Sequence, residues 1–336
     1  MFYLQTGSQA LDLTVNILIF IAATAILVKG SDLFIDSAAD IARIWGVSEI
    51  VIGLTLVSIG SSLPELASSV YAACQHQGDF IIGNIVGSNV TNISLILAIG
   101  IIGVGVIPAE RKLLTRDGVV MLLVYLVCTV LFAVPLNGAA GKDLHGIDFR
   151  GGIVLLVCCA GYMYLLFKQN RDAAEHSAEG RNSALAFGKI GLLLLGVCMI
   201  TAGSKGMVDP VVWAAQKMGV RMLVISSTIV AFGTSVPELA VTIAGLVKNK
   251  QDIALGNILG SNIFNILLIF GISSCICPLS LNTGKIGLFN LAAMGGTGIA
   301  LILFLAAGKN SLKRWHGLVL LLFYAVFMIF NVFSAK

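Results

Sequence analysis

The fold of this chain is decided by a stretch that occurs in it twice. Residues 55–93 read TLVSIGSSLPELASSVYAACQHQGDFIIGNIVGSNVTNI, and residues 228–266 read TIVAFGTSVPELAVTIAGLVKNKQDIALGNILGSNIFNI. The copies align without a gap at a constant shift of 173 positions, which pairs Thr55 with Thr228 and Glu65 with Glu238. The chain therefore contains an internal duplication.

The composition is that of a membrane protein. Of the 336 residues, 57% are apolar and 11% are charged, whereas soluble domains carry about 25% charged residues. Several apolar runs are about 20 residues long, enough to cross the hydrocarbon core of a lipid bilayer. The net charge of +4 is spread over loops, without the basic stripe that nucleic-acid binding requires. No nucleophile–base pair or catalytic metal-ligand set appears, so we expect neither an enzyme nor a cofactor.

Ten transmembrane helices are expected, and their approximate bounds are 14–45, 48–73, 80–107, 118–134, 151–168, 185–218, 222–247, 253–276, 286–307 and 312–333. The shift of 173 also pairs Gly30 with Gly203 and Asp36 with Asp209, so the repeated unit is a five-helix half. We predict an all-α polytopic membrane protein with a first repeat (1–168), a linker (169–184) and a second repeat (185–336). Because five is odd, the second repeat enters the membrane from the opposite side, and the repeats are inverted.

Lysine and arginine are distributed unevenly over the loops. With the N-terminus outside, thirteen of them fall on the inward side and six on the outward side. Positive residues favour the cytoplasmic side. We therefore expect both termini to lie outside the cell (inner) membrane and the linker to lie in the cytoplasm. The expected functional unit is a monomer.

Each copy places one carboxylate, Glu65 or Glu238, within an apolar run. An ionisable group at membrane depth is costly and indicates a functional site. Pro64 and Pro237 immediately precede the two glutamates, and a proline within a helix frees the carbonyl four residues before it. Free carbonyls beside a carboxylate are suited to binding a cation.

Further oxygen donors share the faces of these helices at spacings of four residues, namely Ser61, Thr234, Ser88, Asn92, Ser261 and Asn265. Glycines at 83, 87, 256 and 260 allow helices to approach closely. A cluster of hard oxygen ligands favours Na⁺, Ca²⁺ or Mg²⁺ over transition metals, and Ca²⁺ accepts about six to eight oxygens. The two glutamates can bind one Ca²⁺, several Na⁺ or two protons in turn. This predicts obligatory exchange of these ions, because two buried like charges with no ion bound are energetically unfavourable.

The motif pairs GSSLPE with GNIVGSN and GTSVPE with GNILGSN resemble the signature repeats of the cation/calcium antiporter superfamily, whose best-known branch is the sodium/calcium exchangers. This resemblance implies the sodium/calcium exchanger fold, with Glu65 and Glu238 as central ion ligands beside Asn92 and Asn265. It implies flanking sodium sites formed by the hydroxyls of Ser61, Thr234, Ser88 and Ser261 and by the carbonyls of Ser58 and Ala231.

The resemblance also implies alternating access, in which the first and sixth helices slide across the other eight. The short linker is typical of a minimal prokaryotic member, and Asn265 argues against potassium cotransport because potassium-dependent members have aspartate there. The function expected is exchange of Na⁺ for Ca²⁺, with Ca²⁺/H⁺ exchange at the same site as the alternative. A passive cation channel is a third reading.

Three carboxylates, Asp32, Asp36 and Asp40, recur every four residues and therefore line one face of the first helix. We interpret them as a solvated helix face near the membrane surface and not as part of the transport site.

Overall fold

The structure is a computed structural model that describes residues 9–45, 48–111, 113–134, 145–175, 183–217, 231–280 and 284–334. Helices dominate it. Their bounds are α1 Gln9–Trp45, α2 Glu49–Ile52, α3 Ser58–Ser61, α4 Leu63–Cys74, α5 Gly78–Thr91, α6 Ala98–Val104, α7 Val119–Phe132, α8 Phe149–Glu175, α9 Ser183–Lys217, α10 Ala231–Thr234, α11 Val236–Val247, α12 Gln251–Phe264, α13 Gly271–Ile276, α14 Gly284–Ala307 and α15 Arg314–Ser334.

In the part of the chain that the structure describes, four π-helical segments lie within or next to these helices, at Gly53–Val57, Asn92–Leu97, Leu113–Gly118 and Asn265–Phe270. Three of them join α2 to α3, α5 to α6 and α12 to α13. The segments that begin at Asn92 and Asn265 occupy twin positions of the two repeats. π-helical turns are rare and often lie at functional sites.

Among the described residues, seven helices are long and apolar enough to cross a membrane, or eight if the bent pair Glu49–Ser61 and Leu63–Cys74 forms one span. Two shorter apolar helices, Phe187–Gly203 and Val236–Val247, accompany them. The polytopic, mostly helical architecture is thus the predicted one. The predicted helix 222–247 is described only from residue 231 onward.

The polar stretch 169–184, predicted as a linker, is helical at both ends. Helix α8 continues to Glu175 and α9 begins at Ser183, while 176–182 lie outside the described residues. Helix-forming residues such as Gln, Arg, Ala and Glu let a helix continue into water beyond the apolar run. Hydropathy therefore marked the end of the apolar run and not the end of the helix.

Two short antiparallel ribbons connect loops of the two halves. β1 (Val106–Pro108) pairs with β4 (Ser311–Lys313), with Ile107 opposite Leu312. β2 (Gly146–Ile147) pairs with β3 (Leu279–Ser280). Both ribbons join the first half of the chain to the second.

The spans differ in burial. The apolar windows of Gly78–Val104 and Gln251–Ile276 are 83% and 94% buried, whereas that of Leu11–Trp45 is 22% buried. The first two spans therefore lie at the centre of the protein, and α1 lies at its edge. Helix α1 packs along α9, and a β-carbon at Gly203 would come within 2.7 Å of the Leu27 nitrogen. Only glycine permits this close helix contact.

Candidate functional site

Each repeat breaks a helix at the same place. Helix α3 ends at Ser61, because the backbone of Ser62 (φ −86°, ψ 8°) leaves the helical range, and α4 then starts with Pro64 in its first turn. Ser235 (φ −91°, ψ 5°) and Pro237 form the same break between α10 and α11. In the first repeat the two parts are bent by 48°. Proline suits the first turn of a helix because its missing N–H has no partner to lose there.

The break places each glutamate at the start of a helix. Glu65 lies in the first turn of α4, and Glu238 lies in the first turn of α11. The first turn has free backbone N–H groups and the positive end of the helix dipole, which both stabilise a carboxylate.

Both glutamates are buried, each only 1% exposed, and they are near enough for their charges to repel each other when both are ionised. Within the described residues, neither carboxylate oxygen of Glu65 accepts a hydrogen bond of good geometry, nor does Oε2 of Glu238, although neighbouring hydroxyls are near enough to Glu65 to interact with it. The side-chain carbonyl oxygens of Asn92 and Asn265 also lack a donor there. Buried oxygens are almost always hydrogen-bonded, so such a group needs an explanation. A hard cation that accepts oxygen ligands would supply it.

At this site, the glutamate-bearing helix of each half packs against the other half. Helix α4, which carries Glu65, packs against the π-helical segment Asn265–Phe270, and α11, which carries Glu238, packs against Asn92–Leu97. Each glutamate therefore lies beside the signature asparagine segment of the other repeat. The four acceptor-bearing side chains belong to one interface between the halves.

Among the hydrogen bonds that cross the interface in the described part of the chain, four form two twin pairs. Their lengths are 3.0 Å for Ser61 Oγ to Asn257 Oδ1, 3.2 Å for Thr234 Oγ1 to Asn84 Oδ1, 3.1 Å for Ser62 Oγ to Ser261 Oγ, and 3.2 Å for Ser235 Oγ to Ser88 Oγ. Each bond in the first repeat thus has its counterpart, shifted by 173 positions, in the second.

Sequence reasoning missed Ser62 and Ser235. The Ser62 hydroxyl donates a 2.8 Å hydrogen bond to Oε1 of Glu238, across the interface. The four-residue spacing rule selected Ser61 and Thr234, but it assumes an unbroken helix, and the helix breaks at the next residue. The sequence signal was present, because both copies carry two adjacent hydroxyls, in GSS and GTS.

The other predicted ligands lie in the same region. Ser58, Ser61, Ser88 and Ser261 are buried, and Thr234 is partly buried. The Ser58 carbonyl already accepts a hydrogen bond from the Ser62 nitrogen at 3.1 Å, and it lies 3.3 Å from Ser61 Oγ, whose proton has a shorter bond to Asn257. Ala231 is the first residue of α10, and its side chain lies outside the described part.

The three aspartates of α1 form ion pairs at partly exposed positions. Lys248 Nζ lies 2.8 Å from Asp36 and 3.3 Å from Asp32, and Lys189 Nζ lies 2.7 Å from Asp40. Burial lowers the pKa of Lys248, but the hydrogen bonds and charges of Asp36 and Asp32 outweigh it and raise that pKa above its usual value. These carboxylates have lysine partners and belong to the helix surface.

Close tertiary contact between α12 and the helix that contains α2 and α3 depends on glycine. A β-carbon at Gly256 would lie 2.8 Å from the Ile50 carbonyl oxygen, and one at Gly260 would lie 2.8 Å from that of Leu54. At Gly83 and Gly87 a β-carbon would meet no described atom within 4 Å. The segment that the repeat places opposite them, 223–230, lies outside the described residues.

Comparison with known proteins agrees with this geometry. The sequence model of the sodium/calcium exchanger protein family matches residues 15–168 and 188–333. The sodium/calcium exchanger MaX1 of Methanosarcina acetivorans is 36% identical over 94% of this chain and 98% of its own. The putative antiporter CaxA of Alkalimonas amylolytica is 33% identical over 88% of this chain and 92% of its own.

A solved structure of the sodium-calcium exchanger NCX_Mj, soaked with 10 mM Na⁺ and 10 mM Sr²⁺, superposes with a TM-score of 0.79. It is 29% identical in sequence, and the match covers 94% of this chain and 97% of that one. Because the family model matches most of the chain and the relatives match over nearly their whole length, the chain belongs to the sodium/calcium exchanger family, within the cation/calcium antiporter superfamily.

Proposed function

We propose that this protein is a secondary active antiporter that exchanges Na⁺ for Ca²⁺ across the membrane. The observation that carries the proposal is the group of buried oxygens without hydrogen-bond donors on Glu65, Glu238, Asn92 and Asn265. A cation satisfies these oxygens at once. The names of the relatives MaX1 and NCX_Mj support the choice of ions.

The proposed ligands form one central site with flanking sodium sites. Glu65 and Glu238 hold the central cation, with Asn92 and Asn265 beside it. Flanking positions use the hydroxyls and carbonyls of Ser58, Ser61, Ser88, Ala231, Thr234 and Ser261, and we add the hydroxyls of Ser62 and Ser235. Oxygen-only coordination in a flexible site suits Ca²⁺, which takes about six to eight such ligands.

Exchange follows from competition for the two carboxylates. Their combined charge of −2 is neutralised by one Ca²⁺ or by several Na⁺. With neither bound, two like charges remain unpaired in a buried site, which is strongly unfavourable. The empty protein therefore does not pass through the closed state, and one ion leaves only when the other can replace it.

The proposed architecture has ten spans in two inverted repeats, 1–168 and 185–336, with both termini outside the cell membrane and 169–184 in the cytoplasm. The seven long apolar helices, the bent pair and the two shorter apolar helices support it, because together they make ten segments. The proposed unit of function is the monomer.

The proposed transport step is a sliding movement of α1 and α9 over the buried helices. It is supported by the intimate packing of α1 along α9 at the edge of the protein, while the glutamates lie on other helices. Movement of this pair changes which side has access to the site and leaves the ligands in place.

The experiment is Ca²⁺ uptake into liposomes that contain the purified protein and an imposed Na⁺ gradient. Uptake should follow the gradient, and Glu65→Gln or Glu238→Gln should abolish it. Glu110→Gln, which neutralises an exposed carboxylate, is the matched control and should retain uptake. Uptake retained in either site variant contradicts the proposal.

The same liposomes identify the counter-ion. A pH gradient imposed without Na⁺ should drive no uptake, and uptake under that condition would assign H⁺ exchange to the site instead. Flux that needs no counter-ion and does not saturate would indicate a channel.

A further inference from the structure

We propose that Asn257 and Asn84 are positioning residues that orient the hydroxyls of Ser61 and Thr234 toward a bound cation. The inference rests on the proposed function and extends it beyond the residues that touch the ions. Asn257 is fully buried, and Asn84 is 6% exposed. Each lies four residues before a predicted hydroxyl ligand on its helix and therefore on the same helix face.

A hydroxyl has one O–H donor and two acceptor lone pairs, and only the lone pairs can bind a cation. Ser61 donates its proton to Oδ1 of Asn257 at 3.0 Å. The amide oxygen thus accepts the O–H hydrogen bond, and the lone pairs of Ser61 Oγ remain available to bind an ion. Thr234 donates to Oδ1 of Asn84 at 3.2 Å in the same way.

A competing acceptor explains why Asn257 is needed. The Ser61 hydroxyl also lies 3.3 Å from the Ser58 carbonyl oxygen, which is itself a proposed sodium ligand. Without Asn257 the Ser61 hydroxyl donates to that carbonyl or to the carboxylate of Glu238, with which it also interacts. Loss of Asn257 would then turn the lone pairs of Ser61 away from the ion and engage the Ser58 carbonyl or the Glu238 carboxylate, each a second proposed ligand, in a hydrogen bond.

The anchoring of the two asparagines differs. Nδ2 of Asn257 donates to Oγ1 of Thr242 at 3.2 Å, on the helix that carries Glu238. In the other repeat, Nδ2 of Asn84 and the hydroxyl of Ser69, which is the twin of Thr242, have no hydrogen-bond partner in the described part of the chain. Asn257 is therefore the more tightly held, and we expect its loss to have the larger effect.

The test compares Asn257→Ala in the wild-type protein and in a Ser61→Ala background. In the wild-type protein the Na⁺ concentration for half-maximal exchange should rise about 2- to 10-fold, the range for loss of one hydrogen bond. In the Ser61→Ala background the same substitution should change it by less than about 2-fold, because residues of one network are not additive. Asn331→Ala, which removes a hydrogen bond to Asn290, is the control for asparagine loss and should have no effect.

An equal shift in both backgrounds would overturn the proposal, because Asn257 would then act without Ser61. A lower unfolding temperature with an unchanged half-maximal Na⁺ concentration would also overturn it, since Asn257 would then serve packing alone.

If Asn257→Ala does not fold, Thr242→Val removes only the hydrogen bond that anchors Asn257. This variant should shift the half-maximal Na⁺ concentration in the same direction by a smaller factor. No shift in that variant would contradict the inference. Failure of the proposed function is a distinct outcome, since wild-type liposomes would then show no Na⁺-driven exchange.

Discussion

Replacement of Gly256 by alanine tests whether the site depends on contact between two helix backbones. A β-carbon at this position would lie 2.8 Å from the Ile50 oxygen, 2.9 Å from the Leu54 nitrogen and 3.0 Å from the Gly53 carbonyl carbon. All three are backbone atoms, which cannot rotate away. Since ordinary contacts begin near 3.5 Å, α12 must move away from the Glu49–Ser61 helix by roughly 0.5 Å.

The same movement stretches the hydrogen bonds that join these helices. The bonds from Ser61 to Asn257 and from Ser62 to Ser261 are now 3.0 and 3.1 Å long. An added 0.5 Å, roughly, takes both beyond the usual limit. Overpacking costs about 1–3 kcal/mol and each lost bond about 0.5–1.5 kcal/mol. Alanine returns about 1 kcal/mol of helix propensity, so the net loss is about 1–5 kcal/mol.

Two measurements on the purified variant check this reasoning. The unfolding temperature should fall by about 2 °C or more, and the initial rate of Na⁺-driven Ca²⁺ uptake should fall sharply because the site loses two cross-links. Gly161→Ala is the control, because Gly161 is exposed in α8 and a β-carbon there meets no described atom within 4 Å. Wild-type stability and uptake in Gly256→Ala would refute the argument from backbone contact.

Two further predictions concern contacts of Ser62 and Lys248. Ser62→Ala removes the donor to Glu238, and since a hydrogen bond to a charged group is worth about 1.5–3 kcal/mol, the uptake rate should fall about 10-fold or more. Ser68→Ala, which loses only a bond to a backbone carbonyl, should retain it, and equal rates in the two variants would contradict the prediction. Lys248→Gln gives the second repeat the residue of the first, Gln75. It releases α1 from partly exposed ion pairs with Asp36 and Asp32, which together are worth about 0.2–1 kcal/mol. The exchange rate should then change by about 1.4- to 5-fold in low salt, and about 1 M KCl should remove the difference; a difference that persists would exclude the ion pair as its cause.

Much of the fold could be predicted because its determinants are local. The apolar runs specify membrane spans, and the proline beside each glutamate specifies a break in the helix. The prolines were predicted to free carbonyls within continuous helices, and the structure instead breaks the helix next to them, at Ser62 and Ser235, because proline acts on its own chain through its missing N–H. The two ribbons, in contrast, were not predicted, since the pairing of β1 with β4 joins segments about 200 residues apart and has no local signal.

The candidate site residues also fall into two groups, those visible in the sequence and those that depend on tertiary contacts. Glu65, Glu238 and the signature asparagines were predicted because a polar group within an apolar run is visible in the sequence. Ser62 was overlooked, although it is next to a residue that was chosen. Which of two adjacent hydroxyls faces the opposite glutamate depends on the helix break and on the position of the other repeat.

By itself, the sequence determined that this is a duplicated membrane protein with one buried carboxylate in each half, because hydrophobicity and repetition are properties of the chain alone. Only the tertiary structure decided which side chains meet across the halves, as Ser62 meets Glu238 and Asn257 meets Ser61. The physical reason is that a hydrogen bond requires contact at about 3 Å. Such contact is set by how closely the glycines of α12 let two helices pack.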